Sequence, residues 1–529
     1  MNRREALWLL GAGATGLAGL PGCASPPAVS SAGAMLPPST PEAEGLSSAA
    51  VQAFLEAVCA RGYELHGFVL ARHGRAVAQG WWKPYGPQFV HSLYSMSKSF
   101  TSAAVGFAVA ERRLSVEDRV LKFFPDDLPA RVSDHLAAMR VRDLLTMSTG
   151  QASEPTWEML REGHWARQFL ALPVTRAPGS VFRYSSAATY MCSAIVQRLT
   201  GQRSVDYLRP RLFEPLGITQ VHWETCPQGI DVGGSGLHLQ TQSLAKFGQL
   251  CLQDGRWNGR QVLPAGWVAE ATARQIQQTL PAQPRRPHER NDWVQGYGYQ
   301  FWRCTHGAYR GDGAFGQFTV VMPQQDAVLA ITGECNDMQG ELDLVWQHLL
   351  PAMKTAPLPA DPAAQARLRQ TIDALALPQP QGAASSAAAR RVSGRTFALE
   401  RNVLGLDSVS FAFDGDAVRL GFRDARQAHV LVGRIGAWQR GDTALPGMPP
   451  RLSPAGAPPA GTQHPYMGAG AWKDEATFEL LLRFLETAHH DRLSVRFSGD
   501  RVEIGLLGSI AAMAPKPIDA RGVLHGTLV

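Results

Sequence analysis

The sequence predicts an α/β protein, more specifically an α+β sandwich: an antiparallel sheet flanked by helices, with a helical insertion, followed by a separate small antiparallel β domain. Strand-like patterns at 67–82 and 297–332 enclose a mainly helical stretch at 112–290, so two distant parts of the chain would build one sheet. A Pro- and Ala-rich segment follows. After it, alternation of apolar and polar residues returns at 408–413, 417–422 and 493–497.

Length and charge indicate a globular protein with more than one domain. A chain of 529 residues is too long for one compact core. Its net charge of +6 comes from 51 basic and 45 acidic residues that are spread along the chain without a dense cluster. Nucleic-acid binding therefore gains no support. The cysteines after residue 23 contain no C-x-x-C pair, which argues against zinc-ribbon and thioredoxin-like sites.

The first 23 residues have the layout of an export signal. Arg3 and Arg4 precede apolar or small residues at 6–20, and Cys23 follows a Pro-Gly pair. This layout resembles a bacterial lipoprotein signal, in which cleavage leaves a lipid-bearing cysteine, and the paired arginines also resemble a twin-arginine signal. We expect a periplasmic protein attached to a membrane through a lipid on Cys23. A soluble exported protein is the alternative.

These patterns also predict where the domains begin and end. Residues rich in Pro, Ser and Ala precede the first helical pattern and read as a flexible tether. The predicted division is an export signal at 1–23, a tether at 24–40, the main domain at 41–355, a linker at 356–391 and a C-terminal β-rich domain at 392–529.

Ser95 and Lys98 form the first candidate site. If Ser95 opens a helix, their spacing puts the hydroxyl and the amine one turn apart on the same face. The following residues, 102–110, are apolar or small all round, as in a buried helix. Burial would lower the lysine pKa by roughly 3 units from about 10.4, which makes a usable base near pH 7. A second S-x-x-K copy, Ser243 to Lys246, lies beside an apolar helical stripe that would turn Lys246 toward solvent.

Two further stretches contain candidate site residues. Tyr184 stands just before a helical pattern, and beside a lysine ammonium it would lose its proton more easily than at its reference pKa of about 10. It would then serve as a general base or proton shuttle, the alternative being a structural tyrosine. The glycine-rich stretch 310–317 lies between strands, where a backbone N–H can point at a substrate carbonyl. A plain hairpin turn is the alternative there.

In order and spacing these pieces resemble the serine β-lactamase and penicillin-binding-protein superfamily. The closer likeness is to its class C-like branch, which includes family VIII esterases and 6-aminohexanoate-dimer hydrolase. Ser95-Met-Ser-Lys98 matches the first motif, S-x-x-K, in full; Tyr184-Ser-Ser186 matches the second, Y-x-N, except that Ser186 replaces Asn. Gly311-Asp-Gly313 stands in place of the third motif, and further likeness includes residues 234–237. The resemblance covers about residues 40 to 355 and implies a β-lactamase-like sheet and helices.

The resemblance also implies roles for individual residues. Ser95 would be the nucleophile, Lys98 would activate it, and Tyr184 would exchange protons with the nucleophile and the leaving group. An acyl-enzyme on Ser95 would later be released by water, and no metal or organic cofactor is needed. The backbone N–H groups of Ser95 and Ala314 would form the oxyanion hole. The residues expected to contact substrate are Ser186, Gly311, Asp312 and Gly313.

The departures from the motifs bear on the substrate. Asp312 would repel the carboxylate of a β-lactam unless Arg310 compensates, and Ser186 offers a shorter hydrogen-bonding arm than Asn. We therefore predict a serine hydrolase that acts on a small-molecule carboxylic ester or amide. The alternatives are a penicillin-recognising D,D-peptidase or β-lactamase, and a catalytically degenerate lipoprotein that binds cell-wall fragments or a partner through the C-terminal domain.

Overall fold

The protein is a mixed α/β structure with antiparallel sheets. The computed structural model describes residues 36–161, 163–279, 285–452, 459 and 461–529. The predicted export signal, Cys23 and most of the predicted tether lie outside the described residues. None of the helices in the described ranges combines the length and the apolar character that crossing a membrane requires.

The helices are α1 Ser48–Ala60, α2 Ser97–Ala110, α3 Asp134–Ala138, α4 Val141–Leu145, α5 Thr156–Met159, α6 Trp165–Ala171, α7 Ser186–Thr200, α8 Ser204–Leu208, α9 Thr241–Leu252, α10 Trp267–Thr272, α11 Met338–Leu344, α12 Pro362–Asp373, α13 Ala387–Val392 and α14 Ser509–Ala512. The strands are β1 Leu65–Arg72, β2 Arg75–Trp81, β3 His91–Ser92, β4 His222–Trp223, β5 Leu237–Leu239, β6 Arg256–Trp257, β7 Arg260–Gln261, β8 Trp302–Arg303, β9 Tyr309–Gly313, β10 Gln317–Met322, β11 Ala327–Gly333, β12 Thr396–Leu399, β13 Leu406–Asp414, β14 Ala417–Asp424, β15 Ala428–Ile435, β16 Gln439–Thr443, β17 His464–Trp472, β18 Thr477–Phe484, β19 His490–Ser498, β20 Arg501–Gly508 and β21 Val523–Leu528.

The first sheet joins distant parts of the chain, as the sequence predicts. Its six strands run in the order β2-β1-β11-β10-β9-β8, and every neighbouring pair is antiparallel. Strand β1 pairs with β11 through contacts such as Val69 with Ala330. The helices α3 to α10 lie between its two halves in sequence and form the predicted helical insertion.

The strand predicted at 297–302 is much shorter than expected. Only Trp302 and Arg303 form β8, because Gln300 has a left-handed backbone (φ 68°) that interrupts the extended run. The Gln300 side chain instead donates to the carbonyl oxygens of Leu144 and Leu145. This residue therefore ties the sheet edge to the helical insertion.

Alternate residues of β1 face two different cores. Val69 and Ala71 pack with α2 and α9, whereas Phe68 and Leu70 pack with α1 and α11. This two-sided burial explains why every residue of β1 is buried. The sheet is thus enclosed by helices on both faces, and the face that carries α2 also carries the candidate site.

The C-terminal strands β12 to β21 form one ten-stranded sheet of their own. All neighbouring pairs are antiparallel, and an additional parallel pairing of β15 with β17 closes the sheet into a barrel. Apolar side chains such as Trp472 and Phe497 fill its interior. Strands β14 and β19 bury every second residue, as the alternation at 417–422 and 493–497 predicts, whereas β18 is buried almost throughout. Whether this barrel is a separate domain remains a prediction, since Leu485, just after β18, packs in the core beside the first sheet.

The segment predicted as a linker is ordered and packed. It contains α12 and α13, and α12 packs against α1 with Leu368 buried between them. The chain then enters the barrel at β12.

Candidate active site

Ser95 lies in a single 3₁₀ turn, Tyr94–Met96, that runs directly into α2. The Ser97 hydroxyl fixes this turn because it donates to the Tyr94 carbonyl oxygen at 2.6 Å and accepts from the Leu237 N–H at 3.1 Å. The residues of α2 from Ser97 to Ala108 are buried, as the all-apolar pattern predicts. The turn and the helix together place the Ser95 hydroxyl at the wall of a cavity.

The Lys98 amine is buried and contacts three oxygen atoms. Its Nζ atom lies 3.0 Å from Ser95 Oγ, 2.9 Å from Ser186 Oγ and 2.7 Å from the Gly234 carbonyl oxygen. Burial lowers the Lys98 pKa from 10.5 to about 7, although the negative charges of Glu154 and Asp312 oppose this change. Burial of the helix therefore lowers the lysine pKa as the sequence predicts.

Tyr184 lies beside the same amine but with a different proton affinity from the one predicted. Lys98 Nζ is 4.9 Å from the centre of the Tyr184 ring, which stacks on Trp302 at 5.4 Å. Burial raises the pKa of the Tyr184 phenol well above its ordinary value, and Asp312 adds to this while a hydrogen bond with Ser95 opposes it. The expectation that Tyr184 loses its proton easily is wrong, because desolvation of the buried phenol is the largest effect on its pKa.

Ser186 and Ser185 begin α7 at the cavity wall. Ser185 caps the helix, since its hydroxyl accepts from the Ala188 N–H at 3.1 Å. Ser186 is therefore free to turn its own hydroxyl toward Lys98. It also lines the cavity, in the position where the sequence predicts a substrate contact.

Strand β9 packs its backbone directly against the Ser95 turn. A Cβ atom on Gly311 would lie 2.4 Å from Met96 Sδ, and one on Gly313 would lie 2.1 Å from the Leu93 carbonyl oxygen. Only glycine permits this approach. It brings the following residue, Ala314, to the cavity wall that Ser95 also lines.

Gly311, Asp312 and Gly313 are not among the described residues that line the cavity. The Asp312 carboxylate accepts hydrogen bonds from Arg310 Nε at 3.0 Å and lies 2.9 Å from Arg310 Nη2. Arg310 is itself buried beside Trp293, whose ring centre is 4.3 Å from the guanidinium. Burial raises the Asp312 pKa, and Arg310 counteracts that rise. Arg310 therefore pairs with Asp312 and offsets its charge, which removes the repulsion of a substrate carboxylate that Asp312 alone would cause.

The cavity has a volume of about 710 Å³ and is lined by both halves of the chain. The helical insertion gives it an apolar wall that includes Trp157, Met159, Leu160 and Trp165. The barrel region contributes Pro449, Arg451, His464, Glu486 and His489. Sequence reasoning assigned no site residue to the C-terminal part, and no local motif marks these positions.

Glu154 is a second group that the sequence reasoning missed. Its Oε1 atom accepts from the Ser186 N–H at 3.1 Å and from the Thr156 hydroxyl at 2.5 Å, and its Oε2 atom accepts from the Thr156 N–H at 3.0 Å. These bonds fix a carboxylate at the cavity wall next to the start of α7. An acidic residue just ahead of a helix was the only sequence signal for it.

The second S-x-x-K copy differs from the first in what its lysine contacts. Lys246 is buried, so the prediction that it faces solvent is wrong. Its Nζ atom donates to the backbone carbonyl oxygens of Leu216 at 3.1 Å and Gly217 at 3.4 Å. The prediction fails because α9 is buried on all sides from Ser243 to Cys251, and the two carbonyl oxygens satisfy the buried amine. Neither Ser243 nor Lys246 lines the cavity among the described residues.

Part of the chain is similar to known proteins. The Beta-lactamase family profile matches residues 51–349, more than half of the 529-residue chain. The 6-aminohexanoate-dimer hydrolase of Paenarthrobacter ureafaciens is 26% identical over 281 residues, which make up 50% of this chain and 70% of that protein.

Two solved structures resemble the chain more distantly. One is a penicillin-binding protein homologue from Caulobacter crescentus, with a TM-score of 0.47 and 18% identity, covering 57% of this chain and 97% of that one. The other is EstCE1, a hydrolase with promiscuous acyltransferase activity, with a TM-score of 0.47 and 16% identity, covering 56% of this chain and 98% of that one.

Proposed function

The chain belongs to the beta-lactamase family, and we propose that it is a serine hydrolase that cleaves a carboxylic ester or amide through an acyl-enzyme on Ser95. One observation carries the proposal: a buried amine with a pKa of about 7, that of Lys98, lies 3.0 Å from the Ser95 hydroxyl. An amine in this position can take the hydroxyl proton at neutral pH.

The contacts of Lys98 indicate which way the N–H bonds and the lone pair of its neutral amine point. A neutral amine has two N–H bonds and one lone pair. The Gly234 carbonyl oxygen can only accept, so it takes one N–H, and Ser186 Oγ can accept the other. The lone pair of a neutral amine would then remain for Ser95, whose Oγ atom lies 3.0 Å away and whose O–H can donate to it. The amine is thus oriented for proton abstraction before any substrate binds.

The reaction would proceed in two halves. Ser95 Oγ attacks the acyl carbon while its proton passes to Lys98, and the backbone N–H groups of Ser95 and Ala314 bind the developing oxyanion. The protonated phenol of Tyr184 gives its proton to the leaving group and regains one from the Lys98 ammonium. Water then attacks the acyl-enzyme: its proton passes to Tyr184 as the Tyr184 proton passes to Lys98, and the Lys98 ammonium protonates Ser95 Oγ as the acid leaves.

The surroundings favour a small ester or amide over a β-lactam. Arg310 is paired with Asp312 and lies over the ring of Trp293. Strand β9 therefore has no unpaired cation that could bind a substrate carboxylate. The apolar wall formed by Trp157, Met159 and Leu160 suits an uncharged acyl or leaving group. The relative named as a 6-aminohexanoate-dimer hydrolase makes an amide a reasonable substrate class.

A fluorophosphonate probe tests the assignment of the nucleophile. We expect the probe to label the wild-type protein and to leave Ser95→Ala unlabelled. Ser243→Ala is the matched control, because it removes the serine of the second S-x-x-K copy, and we expect it to label normally. Labelling of Ser95→Ala at the wild-type level would refute the proposal.

The same preparation separates the alternatives. Acylation by penicillin or cleavage of a chromogenic cephalosporin would favour a D,D-peptidase or β-lactamase. Failure both to react with the probe and to hydrolyse any p-nitrophenyl ester would favour a degenerate lipoprotein that binds wall fragments. Hydrolysis of short-chain esters or amides without reaction with β-lactams supports the proposed function.

We also propose that the protein is exported to the periplasm and attached to a membrane through a lipid on Cys23. The proposed domain division is a hydrolase domain at 41–355, a linker at 356–391 and a β-rich domain at 392–529. The layout of residues 1–23 supports export. In fractionated cells we expect Cys23→Ala to move from the membrane to the soluble fraction. Cys59→Ala, which removes an exposed cysteine of the main domain, should stay with the membrane.

A further inference from the structure

We propose that His489, a residue of the C-terminal barrel region, is a positioning residue that holds both backbone segments of the oxyanion hole. The inference rests on the proposed function, because it concerns how Ser95 and Ala314 are held for the acyl transfer assigned to them.

His489 lies just before β19 and is 1% exposed. Its backbone N–H donates to the Thr487 hydroxyl at 3.0 Å, and its carbonyl oxygen accepts from the Phe484 N–H at 3.2 Å. The connection between β18 and β19 is therefore fixed, and it directs the imidazole out of the barrel toward the cavity.

The imidazole links Glu334 to Tyr94. Its Nδ1 atom lies 2.5 Å from Glu334 Oε1, and Glu334 directly follows β11 of the first sheet. Since a carboxylate can only accept, Nδ1 donates to Glu334, and Nε2 shares a hydrogen bond with the Tyr94 hydroxyl. This chain of bonds connects the sheet, the barrel and the residue before Ser95.

The same imidazole packs against the residue after Ala314. The ring centres of His489 and Phe315 lie 4.9 Å apart, those of His489 and Tyr94 lie 5.7 Å apart, and those of Tyr94 and Phe315 lie 5.4 Å apart. Three rings thus touch one another in a closed cluster. Two of them belong to the immediate neighbours of the two proposed N–H donors, Tyr94 before Ser95 and Phe315 after Ala314.

Both of these neighbours have a left-handed backbone. The φ angle is 47° at Tyr94 and 66° at Phe315, values that bulky residues rarely adopt unless the surrounding structure enforces them. Backbone bonds contribute: Ser97 Oγ donates to the Tyr94 carbonyl oxygen, and the Cys335 N–H donates to that of Phe315 at 2.9 Å. Among side chains, the His489 ring contacts both left-handed residues at once.

Without His489 the two segments could relax independently. Each N–H direction depends on the φ and ψ of the residues around it, and an oxyanion hole is effective only while both donors point at one position. The barrel would thus fix the geometry of the oxyanion hole, although the reacting side chains of Ser95, Lys98 and Tyr184 all belong to the main domain.

The test compares His489→Gln with His429→Gln. His429 is also a buried histidine of the barrel bonded to a carboxylate, that of Asp424 at 2.9 Å, but it does not line the cavity. Tyr94→Phe is a second variant, since it loses the hydroxyl bond to His489 while the ring contacts remain. The readouts are kcat and KM for a p-nitrophenyl ester, and inhibition by a boronic acid that forms a tetrahedral adduct with the serine.

We expect His489→Gln to lower kcat by about 10- to 100-fold with KM nearly unchanged, since only the transition state needs the aligned donors. The boronic acid should bind more weakly by a similar factor. Tyr94→Phe should show a smaller loss of the same kind, and His429→Gln should show none.

Wild-type kcat and boronic acid affinity in His489→Gln would overturn the inference, as would an equal loss in His429→Gln, which would mean a general loss of barrel structure. If His489→Gln does not fold, unchanged kinetics in Tyr94→Phe overturn it. The proposed function stands after any of these outcomes if the fluorophosphonate labels the wild type at Ser95. If the wild type is not labelled there, both the proposed function and the role of His489 are refuted.

Discussion

The Glu154 carboxylate and the Lys98 amine contact the same residue, Ser186, from two sides. Glu154 Oε1 accepts from the Ser186 N–H at 3.1 Å, while Lys98 Nζ lies 2.9 Å from the Ser186 hydroxyl. The negative charge of Glu154 raises the Lys98 pKa and so offsets part of the effect of burial. The Glu154 carboxylate therefore keeps the Lys98 pKa higher than burial alone would leave it.

We predict that Glu154→Gln shifts the acid limb of the pH–rate profile to lower pH. In the wild type kcat/KM should rise as Lys98 loses its proton around a pKa of about 7. Glutamine is of similar size but carries no charge, so the ammonium loses a stabilising partner and its pKa falls. Measurement of kcat/KM for an ester between pH 5 and 9 checks this. A limb that stays in place or moves to higher pH would contradict the role given to Glu154.

The buried amine also predicts an unusual dependence of stability on pH. The Lys98 pKa is about 7 in the folded protein, against 10.5 when the lysine is exposed. Above pH 10.5 the lysine is neutral in both the folded and the unfolded protein, so its burial causes no pH-dependent loss of stability. As the pH falls toward 7, the lysine becomes protonated in the unfolded chain but stays neutral in the folded protein. The free energy of unfolding therefore decreases by about 1.4 kcal/mol per pH unit. The full destabilisation, about 5 kcal/mol, is reached once the pH is below 7.

Lys98→Met should therefore unfold at higher urea concentration than the wild type at pH 7. The gain will be smaller than the full value, because the Gly234 carbonyl oxygen loses its donor, which costs about 1–3 kcal/mol. The advantage of the variant should shrink as the pH rises from 7 to 9.5. A stability difference that is independent of pH would show that Lys98 is charged in the folded protein.

Local patterns were enough to predict the parts of the site that lie on one element. The buried helix after Ser95 predicted both the position of Lys98 and its lowered pKa, and the strand-like pattern at 297–332 predicted a region that contains β10. Residues brought in from distant segments carried no such signal. His489 and Glu154 reach the cavity only through tertiary packing, and the pKa of Tyr184 depends on burial by residues far away in sequence.

The close contact of β9 with the Ser95 turn predicts a sharp steric effect. In Gly313→Ala the new methyl group would lie 2.1 Å from the Leu93 carbonyl oxygen, a rigid backbone atom. Strand and turn must separate, so we expect a loss of roughly 1–3 kcal/mol of stability and slower labelling of Ser95 by a fluorophosphonate. Gly505→Ala is the matched strand control, since the nearest atom to its Cβ would be 3.9 Å away. Equal behaviour of the two variants would mean that β9 does not support the turn.

The protonated phenol of Tyr184 predicts that its importance depends on the leaving group. An amine must gain a proton before it leaves, whereas p-nitrophenolate leaves without one, so a general acid matters for the first and hardly for the second. Burial raises the Tyr184 pKa and keeps that proton available at neutral pH. We expect Tyr184→Phe to lower kcat/KM for an amide by about 100-fold or more, and for the p-nitrophenyl ester of the same acid far less. An equal loss on both substrates would instead place Tyr184 in the activation of Ser95, because that step is common to the two reactions.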